Sequence, residues 1–208
     1  MLQAARISYF ELKDYPKAEQ YFAQLKTITT SQDTKLESMR GLLRCQYKLS
    51  QFNADAMQNA RDLLSEKGIA ADDKMIANMV IAKAAQAGGQ TSDALSSYSA
   101  VVSLGKSEYA AEARYRIAEI YFAQNQFQLA EKAGFDVINK AGSYNYWITK
   151  AYILLGDVYF KQQDYFNAEA TLKSVVENAD DAALKSEAQQ KLDNVISEKE
   201  KYSKVEPQ

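Results

Sequence analysis

One sequence pattern occurs twice: residues 111–138 read AEARYRIAEIYFAQNQFQLAEKAGFDVI, and residues 149–176 read TKAYILLGDVYFKQQDYFNAEATLKSVV. Aligned without gaps, the two stretches place similar residues at corresponding positions: Ala118 and Gly156, Tyr121 and Tyr159, Phe122 and Phe160, Phe127 and Tyr165, Ala130 and Ala168, Val137 and Val175. A repeat of this kind indicates that the fold itself is built from repeated structural units.

An alanine near the middle of the pattern marks further copies along the chain. The N-terminal stretch 9–18, YFELKDYPKA, contains one of them. The marker recurs every 36 to 38 residues: Ala18, Ala56, Ala94, Ala130, Ala168. The spacing predicts five repeats, at residues 1–32, 33–70, 71–107, 108–143 and 144–180, within a single domain that spans residues 1–203.

Each repeat is predicted to be a pair of helices. In repeat four, Ala113, Ile117 and Ile120 recur at helical spacing, polar residues interrupt at 125–126, and a second apolar face follows. Asp14 and Asp164 stand just before the second helices of repeats one and five, where a carboxylate can accept the unpaired backbone N–H groups. Small residues, such as Gly156 with Ala168, would let the two helices of a pair approach closely.

The segment that follows repeat five is predicted to be a single capping helix at residues 181–203. Its apolar residues form one stripe and its other side is polar, which suits a helix that covers the exposed edge of the last repeat. The stripe consists of Leu184, Ala188, Leu192, Val195 and Ile196. Residues 204–208 are expected to form a polar tail.

Repeat five carries a recognisable family phrase: Tyr152, Leu155-Gly156, Tyr159, Gln163-Asp164-Tyr165 and Ala168. This phrase resembles the tetratricopeptide repeat (TPR) family, and the resemblance extends over nearly the whole chain. It implies an all-α, right-handed α-solenoid of about five helix hairpins that binds other proteins. Four residues depart from the family pattern: Arg6, Arg44, Ala85 and Arg114.

Composition argues against catalysis, metal binding and nucleic-acid binding. The chain has no histidine, so the commonest general base and metal ligand is missing. Its one cysteine, Cys45, cannot form an internal disulfide or a multi-thiolate metal site and is expected to be buried. The formal net charge is −2, with no basic block to neutralise phosphates. We therefore expect a non-enzymatic protein without cofactor, metal or transmembrane segment.

The family resemblance also implies where a partner would bind. In TPR proteins the first helices of successive repeats line a concave groove, and the corresponding positions here belong to repeats three to five: Lys83, Gln86, Glu112, Tyr115, Glu119, Phe122, Lys150, Ile153, Asp157 and Phe160. Tyr115, Phe122 and Phe160 would form an apolar strip flanked by acids, which favours a peptide or protein with apolar side chains and a few Lys or Arg. The alternative is that these aromatic residues pack between neighbouring first helices.

The loop between repeats four and five is a second candidate site. It contains Tyr144, Tyr146 and the single tryptophan, Trp147. Such an aromatic cluster could hold a glycan or another small ligand, and it could equally anchor the next helix in the core. The alternative function is therefore ligand capture in a bacterial envelope system, since repeats four and five also resemble bacterial envelope-associated repeat proteins.

The start of the sequence suggests a piece of a longer protein. Met1 falls inside the predicted first helical turn, and residues 2–5 (LQAA) provide neither a capping side chain nor a polar outer face. An uncapped first repeat is expected to pair with another copy of the chain. A chain cut from a longer precursor is compatible with the periplasm or the envelope, whereas a complete chain would be cytoplasmic.

Overall fold

The computed structural model describes residues 1–205, with side chains as far as Lys201. It is 82% helical, and no strand occurs among the described residues. The predicted all-α class is confirmed. The helices are α1 (Leu2–Arg6, continued by a π-helical turn at Ile7–Glu11), α2 (Tyr15–Ile28), α3 (Gln32–Lys48), α4 (Ala54–Ser65), α5 (Ala71–Ala87), α6 (Thr91–Ser103), α7 (Glu108–Ala123), α8 (Phe127–Lys140), α9 (Asn145–Lys161), α10 (Tyr165–Asn178) and α11 (Ala182–Val205).

The helices pack as consecutive pairs: α1–α2, α3–α4, α5–α6, α7–α8 and α9–α10, with α11 against α10. The five marker alanines are all fully buried, in the second helix of each pair. Asp14 and Asp164 cap α2 and α10 as expected, since their carboxylates accept hydrogen bonds from the backbone N–H groups of Lys17 and Asn167, each at 3.1 Å.

The turn inside each pair has a similar backbone geometry in all five pairs. One residue adopts a positive φ of 53° to 72°: Lys13, Ser50, Gly89, Asn125 and Gln163. In pairs two to five the next residue donates its N–H to a carbonyl five positions earlier, as in the Schellman motif, and in the first pair Asp14 donates to the carbonyl of Ser8, six positions earlier. Glycine is the residue that adopts this conformation without strain, yet only Gly89 supplies it.

By packing, the chain divides into two compact halves, which are described separately below. The N-terminal half is Met1–Gly105, with α1 to α6, and the C-terminal half begins at Lys106, with α7 to α11. In the N-terminal half, Phe22 and Leu42 pack with Ala18 and Cys45 between α2 and α3. In the C-terminal half, Leu172 and Leu192 pack where α10 meets α11.

Two details correct the sequence-based expectations. The last helix extends to Val205, two residues beyond the predicted end of the capping helix; residues 206–208 of the predicted tail lie outside the described residues. At Gly156, the close neighbour is Leu172 rather than Ala168, because a Cβ built on Gly156 would lie 2.6 Å from Leu172 Cγ. Arg114, which departs from the family pattern, is accommodated by an ion pair with Asp136 at 3.1 Å.

Candidate partner-binding face

The first helices of the C-terminal half form one continuous face, because α9 contacts both α7 and α11. Five of the predicted groove residues lie half-buried on these helices: Glu119, Phe122, Lys150, Asp157 and Phe160. Since consecutive first helices are parallel members of a repeat array, their side chains can interact across the gaps between them.

Ion pairs connect α9 to α11 across this face. Lys150 Nζ lies 3.4 Å from Glu187 Oε2, and Lys191 Nζ lies 2.8 Å from Asp157 Oδ2. Glu187 and Lys191 belong to α11, which the sequence indicated only as a cap. These two residues were missed, although their position on the outward side of the stripe Leu184–Ala188–Leu192 could have indicated them.

On α7, Arg116 pairs with two glutamates of the same helix. Arg116 Nη1 donates to Glu119 Oε2 at 2.8 Å, and Arg116 Nε lies 3.4 Å from Glu112 Oε1. The guanidinium also lies over the rings of Tyr115 and Trp147, 5.8 Å from each centroid. Arg116 is the third residue of this face that sequence reasoning missed.

Three predicted groove residues are in fact buried, which corrects their placement as exposed side chains. Tyr115, Ile153 and Glu112 are only 5%, 2% and 5% exposed. The ring of Trp147, which comes from the following repeat, covers Tyr115 at a centroid distance of 5.5 Å. This burial is the main cause that raises the pKa of Tyr115 above its usual range, and the negative charge of the nearby Glu119 carboxylate adds to it. Tyr115 therefore packs between neighbouring first helices, which is the alternative that the sequence left open.

The other two aromatic residues of the strip lie at the turn within each helix pair. Phe122 packs against Phe127 with ring centroids 5.9 Å apart, and Phe160 packs against Tyr165 at 5.8 Å. These contacts join the end of a first helix to the start of its second helix. Phe122 and Phe160 are partly exposed, whereas Tyr115 is buried in the core.

The position of Asp157 on this face affects the protonation of its carboxylate. Its removal from water raises its pKa above the ordinary value, and the hydrogen bonds from Lys191 oppose that effect. The Asp157–Lys191 pair is thus held in a partly desolvated position rather than at an open surface.

The three aromatic residues of the loop between repeats four and five differ in their environment. Tyr144 and Trp147 pack against the core cluster of Ala111, Tyr115 and Leu154, so they anchor the start of α9. Trp147 Nε1 is buried without a hydrogen-bond partner among the described residues. Tyr146 lies edge-on to Trp147 at 5.0 Å and remains 49% exposed. The anchoring interpretation therefore fits Tyr144 and Trp147 but not Tyr146.

Lys83 and Gln86, the groove positions predicted for repeat three, lie on α5 in the N-terminal half. The Lys83 ammonium lies 5.2 Å and 5.0 Å from the ring centroids of Tyr47 and Phe52. Gln86 Oε1 accepts a hydrogen bond from the buried Tyr98 hydroxyl at 2.8 Å. Gln86 is therefore engaged in holding α5 against α6.

The described residues contain no cluster of acidic, cysteine or histidine side chains that could hold a metal ion. Cys45 is fully buried, and burial raises its pKa to about 12, which keeps the thiol protonated and unreactive. Among the described helices, none combines the length and apolar character that crossing a bilayer requires.

Comparison with protein families agrees with the repeat geometry. Tetratricopeptide repeat models match residues 79–145 and residues 150–182. Tetratricopeptide repeats are therefore identified in these two parts of the chain. A search of curated proteins finds no match.

Solved structures share this fold, and two of the three described next are named as TPR proteins. The C-terminal part of a TPR repeat-containing protein from Cytophaga hutchinsonii is 17% identical, with a TM-score of 0.67 over 95% of this chain and 80% of that one. The crystal structure of MamA is 14% identical, with a TM-score of 0.59 over 100% and 94%. A thermophilic TPR protein from Thermus thermophilus is 18% identical, with a TM-score of 0.58 over 92% and 99%. These likenesses concern the fold, and they identify it as a TPR solenoid. Such repeats are protein–protein interaction scaffolds.

Proposed function

We propose that the protein is a non-catalytic scaffold that holds a peptide or protein partner against the first-helix face of its C-terminal half. The observation that carries this proposal is the continuous row of half-exposed charged residues on α7, α9 and α11. Ion pairs join α9 to α11, and on α7 Arg116 pairs with Glu119 of the same helix, so a bound segment that lies across the three helices would meet all of these charges.

The ion pairs also indicate the chemistry of the partner. The half-exposed members are three carboxylates (Glu119, Asp157, Glu187) and three cations (Arg116, Lys150, Lys191). The sequence drew attention mainly to the acids and favoured a basic partner. A balanced row is better complemented by a segment that carries both signs of charge, together with apolar side chains for the edges of Phe122 and Phe160.

These pairs suit reversible binding. Each is partly exposed, so the attraction between its members is weak and an incoming charge can exchange with one of them at little cost. Specificity would then depend on the order of charges along the row, because a wrongly placed like charge is costly at an interface.

Peptides selected from a random phage-displayed library against the purified protein test this proposal. Selected peptides would be synthesised with a fluorescent label, and their affinity measured by fluorescence polarisation. We expect Glu119→Lys and Lys150→Glu each to weaken binding by about tenfold or more, which corresponds to about 1.4 kcal/mol.

The matched control is Glu177→Lys, which makes the same charge change at an exposed position on the second helix α10. The Glu177→Lys variant should bind the selected peptides with the same affinity as the unmodified protein. Failure to select any peptide, or equal binding by all three variants, would refute the proposed face.

A further inference from the structure

A small cavity lies at the end of the C-terminal half where α9 begins, α10 ends and α11 begins. Because α9 and α10 are antiparallel, the first turns of one meet the last turns of the other at this end. The cavity measures about 290 Å³, and Ile148, Val175 and Ala179 form its apolar part. It contains none of the residues of the partner-binding face.

Two tyrosines line the cavity and remain open to solvent. Tyr146 is 49% exposed and Tyr152 is 38% exposed, and both belong to α9. The orientation of Tyr146 is restrained on one side by Trp147, whose ring meets it edge-on. Two exposed aromatic rings beside an apolar floor form a surface that gains free energy when a flat apolar group covers it.

The remaining lining groups are amides, hydroxyls and carboxylates, all of which can accept hydrogen bonds. Asn178 Nδ2 donates to the carbonyl of Ser174 at 2.9 Å, which leaves the amide oxygen of Asn178 able to accept. Asp181 uses one carboxylate oxygen, Oδ1, for the backbone N–H groups of Ala183 and Leu184 at the start of α11. No lysine or arginine lines the cavity, which argues against an anionic ligand.

We propose that this cavity binds one ring of a neutral glycan. A sugar ring has an apolar C–H face that can stack on a tyrosine, and its rim of hydroxyl groups can donate to amide and carboxylate oxygens. At about 290 Å³ the cavity is near the lower end of the range for ligand sites, so it accommodates a single ring with the rest of the glycan outside. The sequence grouped Tyr146 with Tyr144 and Trp147, whereas in the structure it lines the same cavity as Tyr152.

The proposal is tested by titrating the ¹⁵N-labelled protein with two neutral disaccharides, maltose and N,N′-diacetylchitobiose, and with choline as a cationic probe. We expect at least one disaccharide to bind in the millimolar range, with amide shifts concentrated at Asn145, Thr149 and Asn178. Tyr146→Ala and Tyr152→Ala should each weaken that binding by about tenfold, because each removes one stacking surface.

Two controls separate stacking from general effects. Tyr152→Phe keeps the ring and should retain most of the affinity. Phe166→Ala removes an aromatic residue that is 75% exposed on α10 outside the cavity, and should change nothing. All variants alter exposed side chains, and circular dichroism would verify that they remain folded.

Three results would overturn the proposal: no saturable shift with either disaccharide, binding of choline in place of both sugars, or unchanged sugar binding by the two Tyr→Ala variants. The site is independent of the proposed peptide face. Glu119→Lys and Lys150→Glu should therefore leave sugar binding unaffected, and a failed peptide selection would not bear on it.

Discussion

The two halves of the protein connect their first helices through different kinds of ion pair. In the N-terminal half the cations are arginines: Arg6 forms a two-pronged pair with Glu37, and Arg40 Nε lies 2.7 Å from Asp73 Oδ2. In the C-terminal half the cations that bridge α9 and α11 are lysines, Lys150 and Lys191.

Burial differs as well. The Asp73 side chain is only 4% exposed, whereas the four residues of the lysine pairs range from 21% to 37%. A rigid guanidinium beside a buried carboxylate fixes two helices in place, whereas lysine is a flexible point charge that can move to another partner. Ion pairs between successive first helices thus serve fixed packing in one half and an adaptable surface in the other.

The largest difference in stability between the two halves is expected when one cation is removed from each of them. Arg40→Met leaves Asp73 buried without its counter-charge and should lower the free energy of unfolding by about 3 kcal/mol. Lys191→Met breaks a more exposed pair and should cost about 1 kcal/mol or less. Native-state hydrogen exchange, read separately for amides in each half, measures both values.

A double variant checks the reason for this difference. Adding Asp73→Leu to Arg40→Met removes the stranded carboxylate and should recover most of the lost stability. If Arg40→Met costs no more than Lys191→Met, the distinction between fixed and adaptable pairs is wrong.

A second comparison concerns one closely packed glycine in each half, Gly41 and Gly156. A Cβ at Gly41 would lie 2.5 Å from three atoms of the Phe22 ring, and one at Gly156 would lie 2.6 Å from Leu172 Cγ. A flat ring held between helices cannot yield as an aliphatic side chain can. We expect Gly41→Ala to cost about 3 kcal/mol and Gly156→Ala about 1 kcal/mol, measured by chemical denaturation. Equal costs would show that Phe22 is as adaptable as Leu172.

One carboxylate in each half should also respond to acid, and the two should respond in opposite directions. Hydrogen bonds from Lys26 and then Gln58 lower the pKa of Asp62 below its ordinary 3.8, while removal from water raises that of Asp157. The stability from Asp62 is therefore present above its ordinary pKa and is lost as the pH falls through the lowered value. The contribution of Asp157 is full below its ordinary pKa and is lost as the pH rises through the raised value.

Unfolding of Asp62→Asn and Asp157→Asn, each compared with the unmodified protein at several pH values, tests these signs. As the pH falls from about 6 to about 3, the advantage of the unmodified protein should shrink against Asp62→Asn and grow against Asp157→Asn. Parallel curves for both variants would contradict the assignment.

The smallest effect concerns the turns, where the halves should behave alike. Ser50 in the N-terminal half and Gln163 in the C-terminal half have φ values of 55° and 62°. Replacing either with glycine relieves backbone strain and should raise the free energy of unfolding by about 0.5 kcal/mol, since the entropy cost of glycine offsets part of the gain. Thermal unfolding would detect the shift, and a loss of stability in one half alone would indicate a side-chain role for that residue.

The regular part of this fold could be predicted from local sequence because each signal acts within one repeat. Ala130 and Ala168 recur at fixed spacing and are fully buried, and Asp164 precedes a helix and caps it. These features depend on residues that are close in the sequence, where helical geometry determines the distance.

The candidate site was harder to predict because its interactions join different repeats. Lys191 meets Asp157 across 34 positions, and the sequence offered no reason to prefer that partner. Tyr115 was assigned to an open groove because its cover, Trp147, comes from the next repeat. Trp147 packs against Tyr115 of the preceding repeat, whereas Tyr146 is exposed. The periodicity of the sequence near residues 146–147 gives no information about that contact.

The position of Trp147 has a consequence for optical measurements. It is the single tryptophan of the chain, and it packs within the C-terminal half against Tyr115. Emission at tryptophan wavelengths therefore reports the loosening of that half alone, while far-ultraviolet ellipticity sums the helices of both. Thermal unfolding followed by both signals therefore shows how many cooperative units the protein has. Coincident curves indicate one transition, and separated curves indicate that each half unfolds by itself.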